Sequence, residues 1–252
     1  MAQRNRPKND RILLATVTGE PFQLVRLYWS IPTSTAVTQA FTALRCMDED
    51  DKARCWVWLY DGEAAALTFG KPRSALPPEV HPIAIGRFRL LPNRLVLELR
   101  SFERAIEAAK FFAPLFGPKV VLTRARVINR WFEAREAKDG LDVLDRLLDQ
   151  DVVVVDPRQF DDALERALQG ARTQEEKMRA FARFSQERNK QDVPLVEDFP
   201  LAPEEETADF RHLTMTLELR ALRAFEHWNG HTELTLADVI HRLVEQGLAG
   251  KK

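Results

Sequence analysis

The chain has 252 residues, 45% of them hydrophobic and 30% charged, and its net charge is −1. This balance is typical of globular proteins and excludes wholesale disorder, collagen and low-complexity sequence. The sequence holds no apolar run near the about 20 residues that span a membrane, and segment 1–10 lacks the apolar core of a secretory signal. The two cysteines are too few for a disulfide framework. We therefore expect a cytoplasmic protein with no membrane partner.

The small net charge conceals a division between the two halves of the chain. Residues 1–135 carry a net charge of +8, and residues 136–252 carry −9. Such a division predicts either that the halves face each other and neutralise internally, or that the basic half meets a polyanion. We favour internal neutralisation, because charge asymmetry alone specifies no binding geometry.

The first part of the chain predicts strands joined by turns. After the basic tail, the apolar runs 11–17 and 22–31 flank a turn that contains glycine and proline, which predicts a hairpin. Residues 33–45 have the apolar spacing of a helix. The acidic run 48–51 that follows is typical of a solvated turn.

Two more hairpins are predicted downstream. Asp61-Gly62 separates the extended runs 55–60 and 63–69, and this dipeptide favours a type I′ turn because both central positions need a positive φ. After a proline-rich loop, residues 83–100 alternate around Pro92-Asn93 as a hairpin does. Ser101 is expected to cap a helix over 102–112, and a strand is predicted at 119–128.

The predicted order, ββαββ followed by ββαβ, indicates the α+β class. We expect a mainly antiparallel sheet built from successive hairpins with two helices, followed by a helical C-terminal part.

The C-terminal half predicts mostly helices. Thr173 and Thr235 each begin a capping box. A short apolar strand expected at 152–155 would join this half to the sheet, and the acidic, proline-rich segment 190–209 predicts a linker or a wrapping arm. The predicted helices cover 141–148, 157–169, 173–188, 211–228 and 235–248.

These patterns divide the chain into five segments. They are a disordered basic tail (1–10), a basic α+β domain (11–135), a helical extension with one short strand (136–189), an acidic linker or arm (190–210) and a C-terminal helical hairpin (211–252).

Aromatic side chains occupy alternate positions of one predicted strand, and arginines occupy alternate positions of two others. Rings beside guanidinium groups on an open sheet suit single-stranded nucleic acid or RNA, through base stacking and phosphate contacts. Tryptophans on strands more often pack into a core, and we favour that interpretation. The candidate nucleic-acid-binding residues are Trp56, Trp58, Tyr60, Arg87, Arg89, Arg124 and Arg126.

The sequence contains no motif that signals catalysis, such as a phosphate-binding loop or a nucleophile elbow. His227 and His231 have the spacing of two metal ligands on a helix, but an asparagine–glycine pair between them predicts the helix end, which favours surface histidines.

Cys46 and Cys55 flank the acidic run, and we expect buried free thiols. We predict no metal and no cofactor. A catalytic site would have to assemble from scattered residues, for which the candidates are Asp156, Asp161, His212, His227 and His231.

The leading hypothesis is a non-catalytic cytosolic binding or adaptor protein that recognises another macromolecule, and we favour a protein as the partner. It rests on the missing catalytic motifs, the divided charge and the acidic arm at 190–209, which can order on a partner. The alternatives are nucleic-acid binding through the basic sheet and an enzyme with a scattered site.

Overall fold

The structure is a computed structural model that describes residues 11–149, 157–189, 194–201, 210–231 and 233–249. Side chains are described for these residues except 157–162, 182, 185–189 and 243–249.

The described residues form one seven-stranded sheet in which all neighbouring strands are antiparallel. The strands are β1 (Val25–Ser30), β2 (Met47–Asp50), β3 (Cys55–Leu59), β4 (Ala84–Leu91), β5 (Arg94–Leu99), β6 (Val121–Ile128) and β7 (Val196–Pro200). Their order across the sheet is β2-β3-β4-β5-β1-β6-β7, so β2 and β7 are the edges.

The described helices are α1 (Ser34–Thr42), α2 (Phe102–Phe116), α3 (Leu141–Asp145), α4 (Pro157–Leu168), α5 (Gln174–Asn189), α6 (Arg211–Trp228) and α7 (Leu236–Ala249). The antiparallel sheet and the helical C-terminal part confirm the predicted α+β class. No described helix is both long enough and apolar enough to cross a membrane.

One face of the sheet, here called the inner face, carries the main core. Alternate residues of each strand point to it, and α1, α2 and α6 cover it with apolar side chains. Phe88 of β4 is central, with ring centroids 4.7 Å from Phe41 of α1 and 4.8 Å from Phe112 of α2. Burying one such ring stabilises the fold by about 1.5–3 kcal/mol.

The opposite face is partly covered. A smaller core joins Leu24 and Ile128 to Leu144 of α3 and to Leu148, which lies in the 3-10 turn Arg146–Asp149. The rest of this face carries charged residues and contains the candidate site.

Several local predictions are confirmed. The β4–β5 hairpin forms around Pro92-Asn93, with Asn93 in the left-handed region at φ 54°. The Ser101 hydroxyl accepts a hydrogen bond from the Arg104 N–H and so caps α2. Both capping boxes form, at Thr173 and at Thr235.

The hairpin predicted around Asp61-Gly62 is wrong. Gly62 has a positive φ of 51°, but Asp61 is extended and its carboxylate accepts the Gly62 N–H, which starts the 3-10 helix Gly62–Ala66. The run after the turn holds three alanines, which favour strands weakly. Strand β3 pairs with β2 and β4 instead.

Two further predictions in the first part of the chain are corrected. Residues 11–17 make only isolated bridges, at Leu13 and Ala15, because the backbone hydrogen bonds of this segment are divided between residues 20–22 and residues 132–134. The acidic run 48–51 is not a turn over most of its length, since Met47–Asp50 is the edge strand β2. Charges on a short edge strand hinder edge-to-edge aggregation.

Residues 194–201 of the predicted linker or arm include β7, which pairs with β6 at the edge of the sheet. Helix α2 continues four residues past the predicted end and holds Pro114 in its last turn. The strand predicted at 152–155 lies outside the described residues.

Candidate functional site

The three predicted stacking rings lie in the core. Trp56, Trp58 and Tyr60 have exposures of 8%, 0% and 1%. Trp58 packs on Phe112 of α2 at 5.0 Å, and the Tyr60 hydroxyl donates to the Leu67 carbonyl at 2.7 Å. The rings therefore present no free face on which a base could stack.

The predicted arginines lie on the opposite face of the sheet, because strand residues alternate between faces. Register places β1 beside β5 and β6, so that arginines from four adjacent strands form one surface. This surface, called the arginine face below, holds six described residues: Arg26, Arg87, Arg89, Arg94, Arg124 and Arg126. Sequence analysis missed Arg26 and Arg94, although each lies two residues from an outward-facing position of its own strand.

Acidic residues of the C-terminal half occupy the part of the arginine face on β1 and β6. Asp198 of β7 is 1% exposed at its side chain and accepts two hydrogen bonds from Arg126, at 2.7 and 2.8 Å, and one from Arg124 at 3.1 Å. The Arg124 guanidinium also lies 4.0 Å from the centre of the Tyr28 ring. A carboxylate on an extended strand is thus bound by two arginines of the sheet.

A second acidic group comes from the turn after α3. Asp149 accepts a hydrogen bond from Arg26, which also binds Glu98 of β5 at 2.7 Å. The bond from Arg26 lowers the pKa of Asp149 below its ordinary value. Asp145 of α3 pairs with Arg100 at 2.9 Å. These contacts confirm internal neutralisation for this part of the basic half.

The part of the arginine face on β4 and β5 stays open. Arg87, Arg89 and Arg94 are all exposed, and the side chain of Arg89 keeps 58% of its surface accessible. Arg89 shares Glu98 with Arg26 at 3.2 Å. In the described part of the chain, neither Arg87 nor Arg94 has an ion pair. Alternate residues of a strand lie about 7 Å apart, so the open part concentrates positive charge.

A small cavity of about 70 Å³ adjoins the open part, between the sheet and α3. Arg87 and Glu98 border it on the sheet side, and Asp145 and Leu148 border it on the other. Arg104 reaches it from the start of α2.

Arg104 belongs to a sealed ion pair with Glu20, whose side chain is 0% exposed. The Arg104 Nε donates to Glu20 at 2.8 Å, and its other nitrogens donate to Thr18 at 2.6 Å and to the Ile85 carbonyl at 3.2 Å. Burial acts to raise the pKa of Glu20, but Arg104 and the threonine hydroxyls outweigh it, so the pKa lies below its ordinary value. Through these hydrogen bonds, the ion pair connects the turn at residues 18–20 to α2 and to β4.

The histidines and aspartates proposed for a scattered catalytic site do not form such a site in the described residues. His212 and His227 lie on α6 fifteen residues apart, or about 22 Å along the helix axis. His231 contacts Glu226 at 2.7 Å. Asp156 and the side chain of Asp161 lie outside the described residues. Within the described chain, no three His, Cys, Asp or Glu side chains converge as a metal site requires.

The two cysteines are free and buried. Burial raises the pKa of the Cys46 thiol to about 11 and that of Cys55 above its ordinary value. Since the thiolate is the reactive form, neither is suited to nucleophilic catalysis.

No protein-family model, curated protein or solved structure matches this chain.

Proposed function

We propose that the protein is a non-catalytic cytosolic binding protein, and that it recognises an acidic segment of another protein with Arg87, Arg89 and Arg94. The supporting observation is the pairing of Asp198 with Arg124 and Arg126, a few strands away on the same face. The arginine face already binds a carboxylate presented by an extended strand, and its open part offers the same chemistry.

Charge and exposure support a partner for this surface. Of these three exposed arginines, only Arg89 pairs with a described carboxylate, Glu98, and Arg26 also binds that carboxylate. Clustered like charges raise the local potential, and a segment rich in Asp or Glu would lower it. The two free, buried thiols suit a reducing compartment such as the cytosol.

An acidic peptide accounts for this surface better than nucleic acid does. Binding of single strands combines phosphate contacts with stacking on exposed rings, and the three candidate rings are buried. Two of the four predicted phosphate contacts, Arg124 and Arg126, are engaged by Asp198.

The test is fluorescence anisotropy with a labelled peptide in which Glu alternates with Thr, beside a matched peptide with Gln in place of Glu. We expect the Glu peptide alone to bind, with affinity falling between ionic strengths of about 0.01 M and about 0.15 M as the screening length shortens from about 30 to about 8 Å. A labelled single-stranded oligonucleotide serves as the competing probe. Tighter binding of the oligonucleotide would contradict the proposal.

The variant Arg87→Gln/Arg94→Gln removes two charges that have no ion pair in the described chain. It should weaken peptide binding about tenfold while leaving stability unchanged. Lys177→Gln/Arg183→Gln on α5 removes the same charge from an exposed helix and is the matched control. Equal effects of both variants would show that net charge, and not the arginine face, drives binding.

A further inference from the structure

We propose that the cavity beside Arg87 takes a single carboxylate on a short aliphatic stem. If the carboxylate belongs to a side chain of an acidic protein partner, the inference rests on the function proposed above. If it belongs to a free aliphatic acid, the inference is independent of that function.

The charges that line the cavity leave one positive charge in excess. Arg100 is paired with Asp145, and Arg104 with Glu20. Glu98 is held by Arg26 and Arg89.

Only the guanidinium of Arg87, among the charged groups described at this cavity, has no ion-pair partner. A single positive charge matches a carboxylate, whereas a phosphate dianion would bring one uncompensated charge close to Glu98. A guanidinium also binds a carboxylate with two parallel hydrogen bonds.

The apolar walls of the cavity favour a carboxylate that is attached to an aliphatic stem. Leu24, Ile85, Leu99 and Leu148 line the cavity, and all four are buried. Because one water needs about 10–15 Å³ of cavity volume, a cavity of about 70 Å³ suits a carboxylate on a stem of two or three carbons. A glutamate side chain or a short fatty acid fits this description, and an aspartate buries one methylene less.

The experiment follows backbone amide signals while butyrate is added to the full-length protein, with butyramide as the neutral control of the same shape. We expect saturable shifts at residues 84–87 and 98–100 with butyrate and none with butyramide. Arg87→Gln should weaken butyrate binding at least tenfold, because a hydrogen bond to a charged group contributes about 1.5–3 kcal/mol. Equal shifts with both compounds, or none with either, would overturn the inference.

Leu148→Phe fills the cavity and leaves Arg87 in place. If this variant folds poorly, Ala84→Val narrows the cavity from an exposed strand position. In the wild type, a Glu peptide should bind about fourfold tighter than an Asp peptide, since one buried methylene contributes about 0.8 kcal/mol. The filled variant should lose this preference and keep its salt-dependent binding of both peptides.

The two proposals fail in different ways. If acidic peptides bind with no Glu preference and no effect of Leu148→Phe, the cavity inference is wrong and the proposed function stands. If butyrate binds but no acidic peptide does, the proposed function is wrong and the cavity is a site for a free aliphatic acid.

Discussion

The buried ion pair of Glu20 and Arg104 is expected to contribute strongly to the free energy of unfolding. Glu20→Gln keeps the size of the side chain and removes its charge, leaving Arg104 charged with a side chain only 4% exposed. Two charges about 4 Å apart interact by about 4 kcal/mol at an effective dielectric of about 20, and breaking one partner of a buried pair costs about 3–5 kcal/mol. Because Arg104 keeps its bonds to Thr18 and Ile85, we expect a loss near the lower figure, about 3 kcal/mol.

The assay is urea unfolding followed by fluorescence of the buried tryptophans. The pKa of Glu20 is lowered in the folded state, so its contribution is complete above the ordinary pKa of 4.5 and is lost as the pH falls through the folded value. The gap between wild type and Glu20→Gln should therefore be full at neutral pH and close in acid. Glu107→Gln, which breaks an exposed pair with Lys110, should change stability by less than about 1 kcal/mol. A gap below about 1 kcal/mol for Glu20→Gln at neutral pH, or one unaffected by pH, would refute the reasoning.

Three further predictions concern single side chains. Ser101→Ala removes the cap of α2 and should lower the free energy of unfolding by about 1–2 kcal/mol in the same assay; no change would argue against the cap. Cys46, with its pKa raised to about 11 by burial, should resist iodoacetamide in the native state at mildly alkaline pH and react after unfolding; rapid native labelling would contradict its burial. Asp198→Asn frees Arg124 and Arg126, so it should lower stability in urea by about 3 kcal/mol and tighten the acidic peptide in anisotropy, and unchanged affinity would count against carboxylate recognition by this face.

Local chemistry made part of the fold predictable. In the β4–β5 hairpin, arginines alternate with apolar residues along most of β4 and three leucines occupy alternate positions of β5, around a turn that tolerates the positive φ of Asn93. The cap at Ser101 and the capping boxes depend only on residues three positions apart. In each case the interacting groups are close in sequence, so the local sequence pattern is enough to predict the structure.

The misplaced elements depend on distant partners. Asp61-Gly62 has the composition of a hairpin turn, yet β3 pairs with β4, which begins more than twenty residues downstream. A Cβ on Gly62 would lie 3.0 Å from the Cys46 nitrogen, so this glycine is needed for close approach of two chain segments. The edge strand β2 forms from an acidic run because pairing with β3 outweighs its weak strand propensity.

The candidate site was predicted only in outline. Alternation placed Arg87 with Arg89, and Arg124 with Arg126, but which arginines stay open depends on where acidic residues return to the sheet. Asp198 lies 72 residues from Arg126 along the chain, so no local pattern joins them. The distinction between the occupied and the open parts of the arginine face is therefore a property of the tertiary structure.

The most direct test of recognition by the arginine face is a map of backbone amide shifts on the full-length protein with the alternating Glu peptide. We predict shifts concentrated on β4 and β5, from residue 84 to residue 99, and their loss in Arg87→Gln/Arg94→Gln. Shifts confined to α5, α6 and α7, or shifts that persist in that variant, would contradict it.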